Sequence, residues 1–282
     1  PYNDTPATIN NYAQWGDAAI GLRAVATGGN ATALGRSARA AAANAIAIGG
    51  GNGSDANNNT EKTEATGEKS TAIGYNAKAG AEKSTAIGAG ATALGESAFA
   101  GSGATASGSY SVAIGKATAS GGQSISIGKD SEATDNGTIA AGDRSKAKAG
   151  GGIAIGYDGQ ALNINATAVG SEAHATGKQS AAYGFKSQAS EQDATAIGSN
   201  AIASAVRTTA LGVNAQALGS NSVAIGGGAG GTGIAGFAEE LKADGGDINR
   251  LNRNINTATT AEGDNAVALG YYANAANGGV AI

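Results

Sequence analysis

Cysteine is absent from this 282-residue chain, so disulfides and thiolate chemistry are excluded. Histidine occurs once, at His174, which deprives any nucleophile of its commonest base. No catalytic, cofactor-binding or metal-binding residue is assigned, and an enzyme is not expected. Three Phe, one Trp and two Pro stand against 48 Gly, too few aromatics for an ordinary globular core of this size. Charged residues make up 14% and the formal net charge is −4, which removes any electrostatic case for nucleic acid or an anionic membrane surface. No apolar run is long enough to cross a bilayer as a helix.

What is present is a phrase, Thr-Ala-Ile-Gly and its variants. Its glycines Gly128, Gly142, Gly156, Gly170, Gly184, Gly198, Gly212 and Gly226 are spaced by 14, and further copies end at Gly21, Gly35, Gly49, Gly74, Gly88, Gly115 and Gly270. A fixed short period decides the architecture before any local motif is weighed. Before the glycine comes Ile, Leu or Val in all copies but two, Ala141 and Tyr183. The residue before that is Ala in all but one, Ser126, and the one before that is mostly apolar or Thr. Alternate residues of a strand point to opposite faces, so the phrase reads as a strand with one face of large apolar residues and one of Ala.

A second alternating segment follows each glycine, with small residues at the third and fifth places and a mostly polar one between, as in Arg39, Lys78, Glu132, Lys146, Gln160, His174, Gln188, Gln216 and Asn274. This pattern predicts a half-buried strand with its polar residues outward. Two short strands and two turns make one coil of a β-solenoid, rising about 4.8 Å by parallel pairing with the next. An interior of Ala, Ser and Gly is narrow, so the large apolar residues must point out of the protomer. Burying each is worth roughly 1.5 to 3 kcal/mol, and a stripe of them over a dozen coils predicts an obligate homo-oligomer. The pattern itself does not choose between dimer and trimer. The axis candidates are Ile73, Ile87, Ile114, Ile127, Ile155, Tyr183, Ile197, Leu211 and Ile225.

The runs Asn221-Ser222-Val223-Ala224-Ile225-Gly226, Tyr110-Ser111-Val112-Ala113-Ile114-Gly115 and Ser70-Thr71-Ala72-Ile73-Gly74, with Asn76-Ala77-Lys78-Ala79-Gly80, resemble the head repeat of YadA-like trimeric autotransporter adhesins. The resemblance covers nearly the whole chain outside two insertions. It implies an all-β fold, a homotrimer of left-handed parallel β-rolls on a bacterial outer membrane, anchored through a C-terminal region beyond these residues. It further implies binding of host matrix or cell-surface molecules. Without a signal peptide or an initial Met, the chain reads as an excised piece of such an ectodomain.

In chain order, residues 1–15 hold both prolines and the only Trp and read as a cap. Residues 16–226 are the roll, interrupted at 50–69 by a polar loop in which Gly50 to Asp55 matches a single calcium-binding nonapeptide; one copy cannot complete an ion's shell. Two intervals, Gly88 to Gly115 and Gly115 to Gly128, each lack one residue, which is expected to tighten a turn. Residues 227–264 are read as a small helical insertion, with Phe237 to Ala243 a short turn and Ile248, Leu251 and Ile255 on one face of a second segment capped by Asp247. Its opening glycines lack the Gly-Lys-Ser/Thr ending of a phosphate loop. Residues 265–282 resume the last, truncated coil.

Adhesion through the outer face is the expected function. Its contact candidates are Arg39, Lys78, Lys146, His174 and Gln188, all at the outward polar place of their coils, with the two insertions. Three copies of His174 on separate faces of a wide trimer could not share a metal ion. The alternative is a passive trimeric spacer or fibre shaft, against which the insertions and the varied outward residues argue. An acyltransferase β-helix is excluded by its hexapeptide period, and an ice-binding array by the Val and Ile that interrupt the Thr column.

Overall fold

The computed structural model describes residues 16–51, 62–227, 259–270, 273–276 and 278–282. The expected cap, most of the calcium-like match and both helical segments lie outside them. Every regular element among the described residues is a strand of two or three residues. The chain divides into two units, Pro1–Ser145 and Lys146–Ile282, and each is a parallel β-solenoid.

In the first unit nine phrase strands, from Ala18–Ile20 to Ile139–Ala141, form one sheet, and eight second-segment strands, from Val25–Ala26 to Glu132–Ala133, form the other. The second unit repeats the plan with eight of each, ending at Val280–Ala281 and Asn274–Ala275. Register follows the period: Thr195, Ala196 and Ile197 lie beside Thr209, Ala210 and Leu211, and Gln188 beside Ile202. Between coils the backbone bonds run Gln188 N to Ala201 O at 2.8 Å and Gly198 N to Tyr183 O at 2.8 Å. Within a coil, Ala201 N to Gly198 O closes the first turn and Ala194 N to Glu191 O the second, both at 3.2 Å. The third residue of these turns is left-handed, and the chain fills that place with Asn200 and Asn214 but also with Arg144, Glu172 and Lys186. Outside glycine this conformation is strained, so the turns depend on the stacked coils to hold them.

The phrase glycine is required by contact as well as by dihedral angle. Gly198 has φ +132°, and a Cβ there would lie 2.4 Å from the carbonyl oxygen of Gly212 in the next coil. Inside, the core is a column of fully buried alanines such as Ala196, Ala201 and Ala203. Its polar members are tied to the turns: Ser180 Oγ donates to Gly177 O at 2.7 Å and Ser187 Oγ to Gly184 O at 3.0 Å. Ser126, the exception to the Ala rule, shares a 2.8 Å hydrogen bond with Ser131 inside its coil. The expectation of Ala, Ser and Gly alone needs one correction. Thr63, Thr138, Thr208 and Thr259 are also fully buried, because the corners have room for a methyl and each hydroxyl donates to a turn carbonyl.

Both insertions leave the roll at the same corner, after the phrase glycines Gly49 and Gly226. The ladder continues past each: Ile48 pairs with Ile73, and Ile225 with Leu269. The chain returns at Thr63 and at Thr259, whose hydroxyls donate to Gly74 O and Gly270 O, each at 2.6 Å. The strand Glu64–Ala65 thus belongs to the roll, although it falls within the stretch 50–69 read as loop; likewise Thr260–Ala261 falls within 227–264. Counting from Gly49 hides the first of these strands, since the insertion displaces it. Replacing Thr259 with Val is expected to lower the unfolding free energy by about 1 kcal/mol, read from the denaturant midpoint, through loss of its hydroxyl, which donates to Gly270 O and has Gly227 O as a second, longer acceptor at 3.5 Å.

The two shortened coils lose their residue in the turn after the phrase strand. Phe99 pairs with Thr85 and Val112, and Gly101 follows where other coils carry the second outward residue. A Cβ on Gly101 would touch Ile114 at 3.4 Å, so Ile114 roofs the gap in the stripe.

Candidate functional site

The outward side of the first sheet carries the apolar stripe. Eight of the nine axis candidates are between 38% (Ile197) and 43% (Ile87) exposed, and Ile73 is half-buried. Beside them runs a second column, including Ile125, Ile139, Ile153 and Val223, also half-buried. Tyr183, which replaces the usual aliphatic residue, shares its strand with Ala181 where both neighbouring strands have Thr, so the added ring is offset by a smaller side chain. A third column was missed by sequence reasoning: Tyr157, Phe185 and Val213 are exposed on alternate coils, with Ser171 and Ser199 between. Their spacing of 28 residues was the available signal.

The second sheet presents the polar column. Parallel pairing turns residues 14 apart into neighbours, so Lys146, Gln160, His174 and Gln188 stand in consecutive coils of the second unit. In the first unit Arg39 and Lys78 flank Glu64, which sequence reasoning had left in a loop. Glu64 Oε1 lies 4.0 Å from Arg39 Nη1 and 3.7 Å from Lys62 Nζ. The triplets Thr63-Glu64-Ala65 and Ser131-Glu132-Ala133 have the same form, which could have placed it. The two groups of candidates are thus each brought together within their own unit.

Electrostatics are local. Glu82 is held below the usual carboxylate range by the hydrogen bond from Lys83, 2.7 Å away, and then by that ammonium's charge. Exposed pairs of this kind add little stability. Among the described residues no group of three or more His, Asp or Glu is placed to hold a metal ion.

In the second unit one stretch of the polar face is concave. Glu172, Lys186 and Asn200, from the first turn of three successive coils, face His174, Gln188 and Ile202 from the adjoining strands across an open hollow of about 240 Å³. Small buried residues, Ala173, Ser187 and Ala201, lie between the two rows. Lys186 Nζ is 3.6 Å from Glu172 Oε2 and 5.0 Å from the ring centre of Phe185.

The repeated two-strand coil, with its alanine interior and outward aliphatic residue before the glycine, coincides with a repeat known from a protein family. The model described as YadA head domain repeat (2 copies) matches residues 26–52, 65–91, 100–118, 119–145, 161–187, 175–201, 189–212, 203–229 and 257–279, well over half of the chain. The chain belongs to the YadA head family. Four gaps separate the matches, at 53–64, 92–99, 146–160 and 230–256, and the first and last of them fall on the insertions. YadA heads are parts of cell-surface autotransporter adhesins, a structural and adhesive class rather than an enzymatic one. A search of curated proteins returns no match to this YadA head.

Proposed function

We propose that this chain is the head of a homotrimeric bacterial surface adhesin, carried on the outer membrane, that binds host matrix or cell-surface molecules through its outer face. In this reading three left-handed rolls pack along the apolar stripe. The observation that carries it is the separation of faces: large apolar residues about two-fifths exposed on one sheet, polar and charged residues on the other. Covering the exposed part of each Ile or Leu is worth about 1 kcal/mol, so a dozen coils supply on the order of 10 kcal/mol per copy. That is comparable with the cost of association and with the whole stability of a domain.

The binding mechanism is multivalent. Each outward residue appears three times on the assembly, and linked weak contacts gain roughly 100-fold to 10,000-fold in avidity without becoming individually stronger. Arg39, Lys78, Lys146, His174 and Gln188 are the proposed contacts, because the polar column is the face left free when the stripe is covered.

The test is solid-phase binding of the purified chain to a panel of matrix proteins and cell-surface receptors, with its mass in solution measured on the same sample. A trimer that binds one member saturably is expected. Changing all five contacts to Ala should lower that binding by at least about tenfold with the trimer intact. A trimer that binds nothing would instead favour the spacer reading.

A further inference from the structure

The formal net charge of −4 is unevenly spread over the chain. Between Asp17 and Asp55 the sequence holds Arg23, Arg36 and Arg39 and no acidic residue. Stacking of the coils adds Lys62 and Lys78 to the same side of the first unit. Arg39 lies beside Glu64, and Glu64 beside Lys78, on the outward face of the second sheet. Arg23 and Arg36 are exposed in the turns that lead into that sheet, and Lys62 stands where the chain returns to the equivalent turn. Ser37 N donates to Leu22 O at 2.8 Å and Gly51 N to Arg36 O at 3.2 Å, so these turns are stacked as the strands are. With a rise of about 4.8 Å per coil, the cations form a track about 14 Å long over four coils.

Acid is scarce along this track. In other coils a cation meets a carboxylate beside it or one coil away: Lys69 with Glu68 and Lys83 with Glu82 at 2.7 Å, Lys129 with Asp130 at 3.8 Å, Lys186 with Glu172 at 3.6 Å. Here one carboxylate serves two cations, Glu64 Oε1 lying 4.0 Å from Arg39 Nη1 and 3.7 Å from Lys62 Nζ. Five cations against that one carboxylate leave a positive surplus on a chain that is negative overall. Asp55 and Glu61 of the insertion lie outside the described residues. Like charges fixed in a row on rigid strands and turns gain from a partner whose own charges repeat along a line, because binding releases the counterions of both.

We propose that this track binds a linear sulfated polysaccharide, a glycosaminoglycan. Sulfate groups present several acceptor oxygens to the fork of an arginine and to a lysine ammonium. Sugar hydroxyls meet the uncharged outward residues beside the track, Thr27 and Thr66. Single-stranded nucleic acid is gripped on stacked aromatic rings as well, and among the described residues of these four coils the only aromatic side chain is Tyr75. The proposal rests on the adhesion reading and gives two of its contact candidates, Arg39 and Lys78, a ligand class.

The test is binding of the purified chain to immobilised heparin, chemically desulfated heparin and single-stranded DNA. Saturable binding to heparin in the micromolar range is expected at low salt, falling about tenfold or more between about 50 and 200 mM salt. Glu64→Gln removes the only carboxylate of the track and should tighten binding severalfold, a gain that misfolding cannot imitate. Arg39→Ala with Lys62→Ala should weaken it at least about tenfold with the circular dichroism unchanged, whereas Lys129→Ala, outside the track, should leave it as it is. No saturable heparin binding at low salt, equal binding to desulfated heparin, tighter binding to the DNA, or no gain in Glu64→Gln would each overturn the proposal. The panel of matrix proteins reads the adhesion assignment separately: a panel member bound without any response to heparin removes the polysaccharide track and leaves adhesion standing.

Discussion

Replacing Ile155 and Ile197 together with Asp is expected to yield no folded protein and no oligomer, while Lys146→Asp with Gln188→Asp leaves both intact. All four residues lie on strands of the second unit, and in an isolated chain the two isoleucines are as open to water as many surface residues. A monomeric roll would therefore tolerate the first pair at a cost of about 1 kcal/mol or less. On a three-fold axis each copy would instead place carboxylates against two others in an apolar layer, a penalty of several kcal/mol per site. Circular dichroism and sedimentation at fixed protein concentration decide between them, and a folded mutant monomer would refute obligate assembly. Tyr183 bears on the same layer: its hydroxyl needs a partner at an axis, which the copies themselves can supply.

A single methyl at Gly198 should be nearly as damaging. Gly198→Ala sets a Cβ 2.4 Å from the Gly212 carbonyl oxygen, which is fixed on both sides by the ladder, at a backbone angle no alanine favours. The expected loss is about 3 kcal/mol or more, seen as a lowered denaturation midpoint. Gly137→Ala is the internal comparison, since it has φ +66° and nothing within 4 Å of the added atom. It carries the dihedral cost alone, about 1 kcal/mol. Equal effects at the two positions would show that stacking contact is not what demands the phrase glycine.

These contrasts show how far the amino-acid order could be read. Strand faces, register and the alanine interior were legible because each is set by residues two or fourteen apart, and one coil repeats the evidence of the last. Glu64 was not legible, because the loop before it breaks the count from Gly49. Phe99 and Gly101 were blurred because the deletion removes a turn residue and shifts the glycine by one place. The hollow was out of reach for another reason. Glu172 and His174 are two residues apart, but its wall also needs Gln188 and Ile202 from later coils. His174 and Gln188 could be picked singly from their outward places, whereas Lys186 and Ile202 gained meaning only from the stack.

The corner after Gly49 and Gly226 has a consequence for how such a protein changes over generations. There the ladder passes the interruption unbroken, and one threonine hydroxyl re-ties the returning chain to the next coil. Lengthening a loop whose ends are already held together costs only about 0.6 kcal/mol for each doubling. New sequence can therefore be acquired, lost or exchanged at that corner without repacking a single alanine of the core. The rest of the coil is the opposite: its register leaves no freedom beyond the outward side chains. Innovation is confined to one corner and one column of residues, and the same rigidity that forbids it elsewhere makes it cheap there.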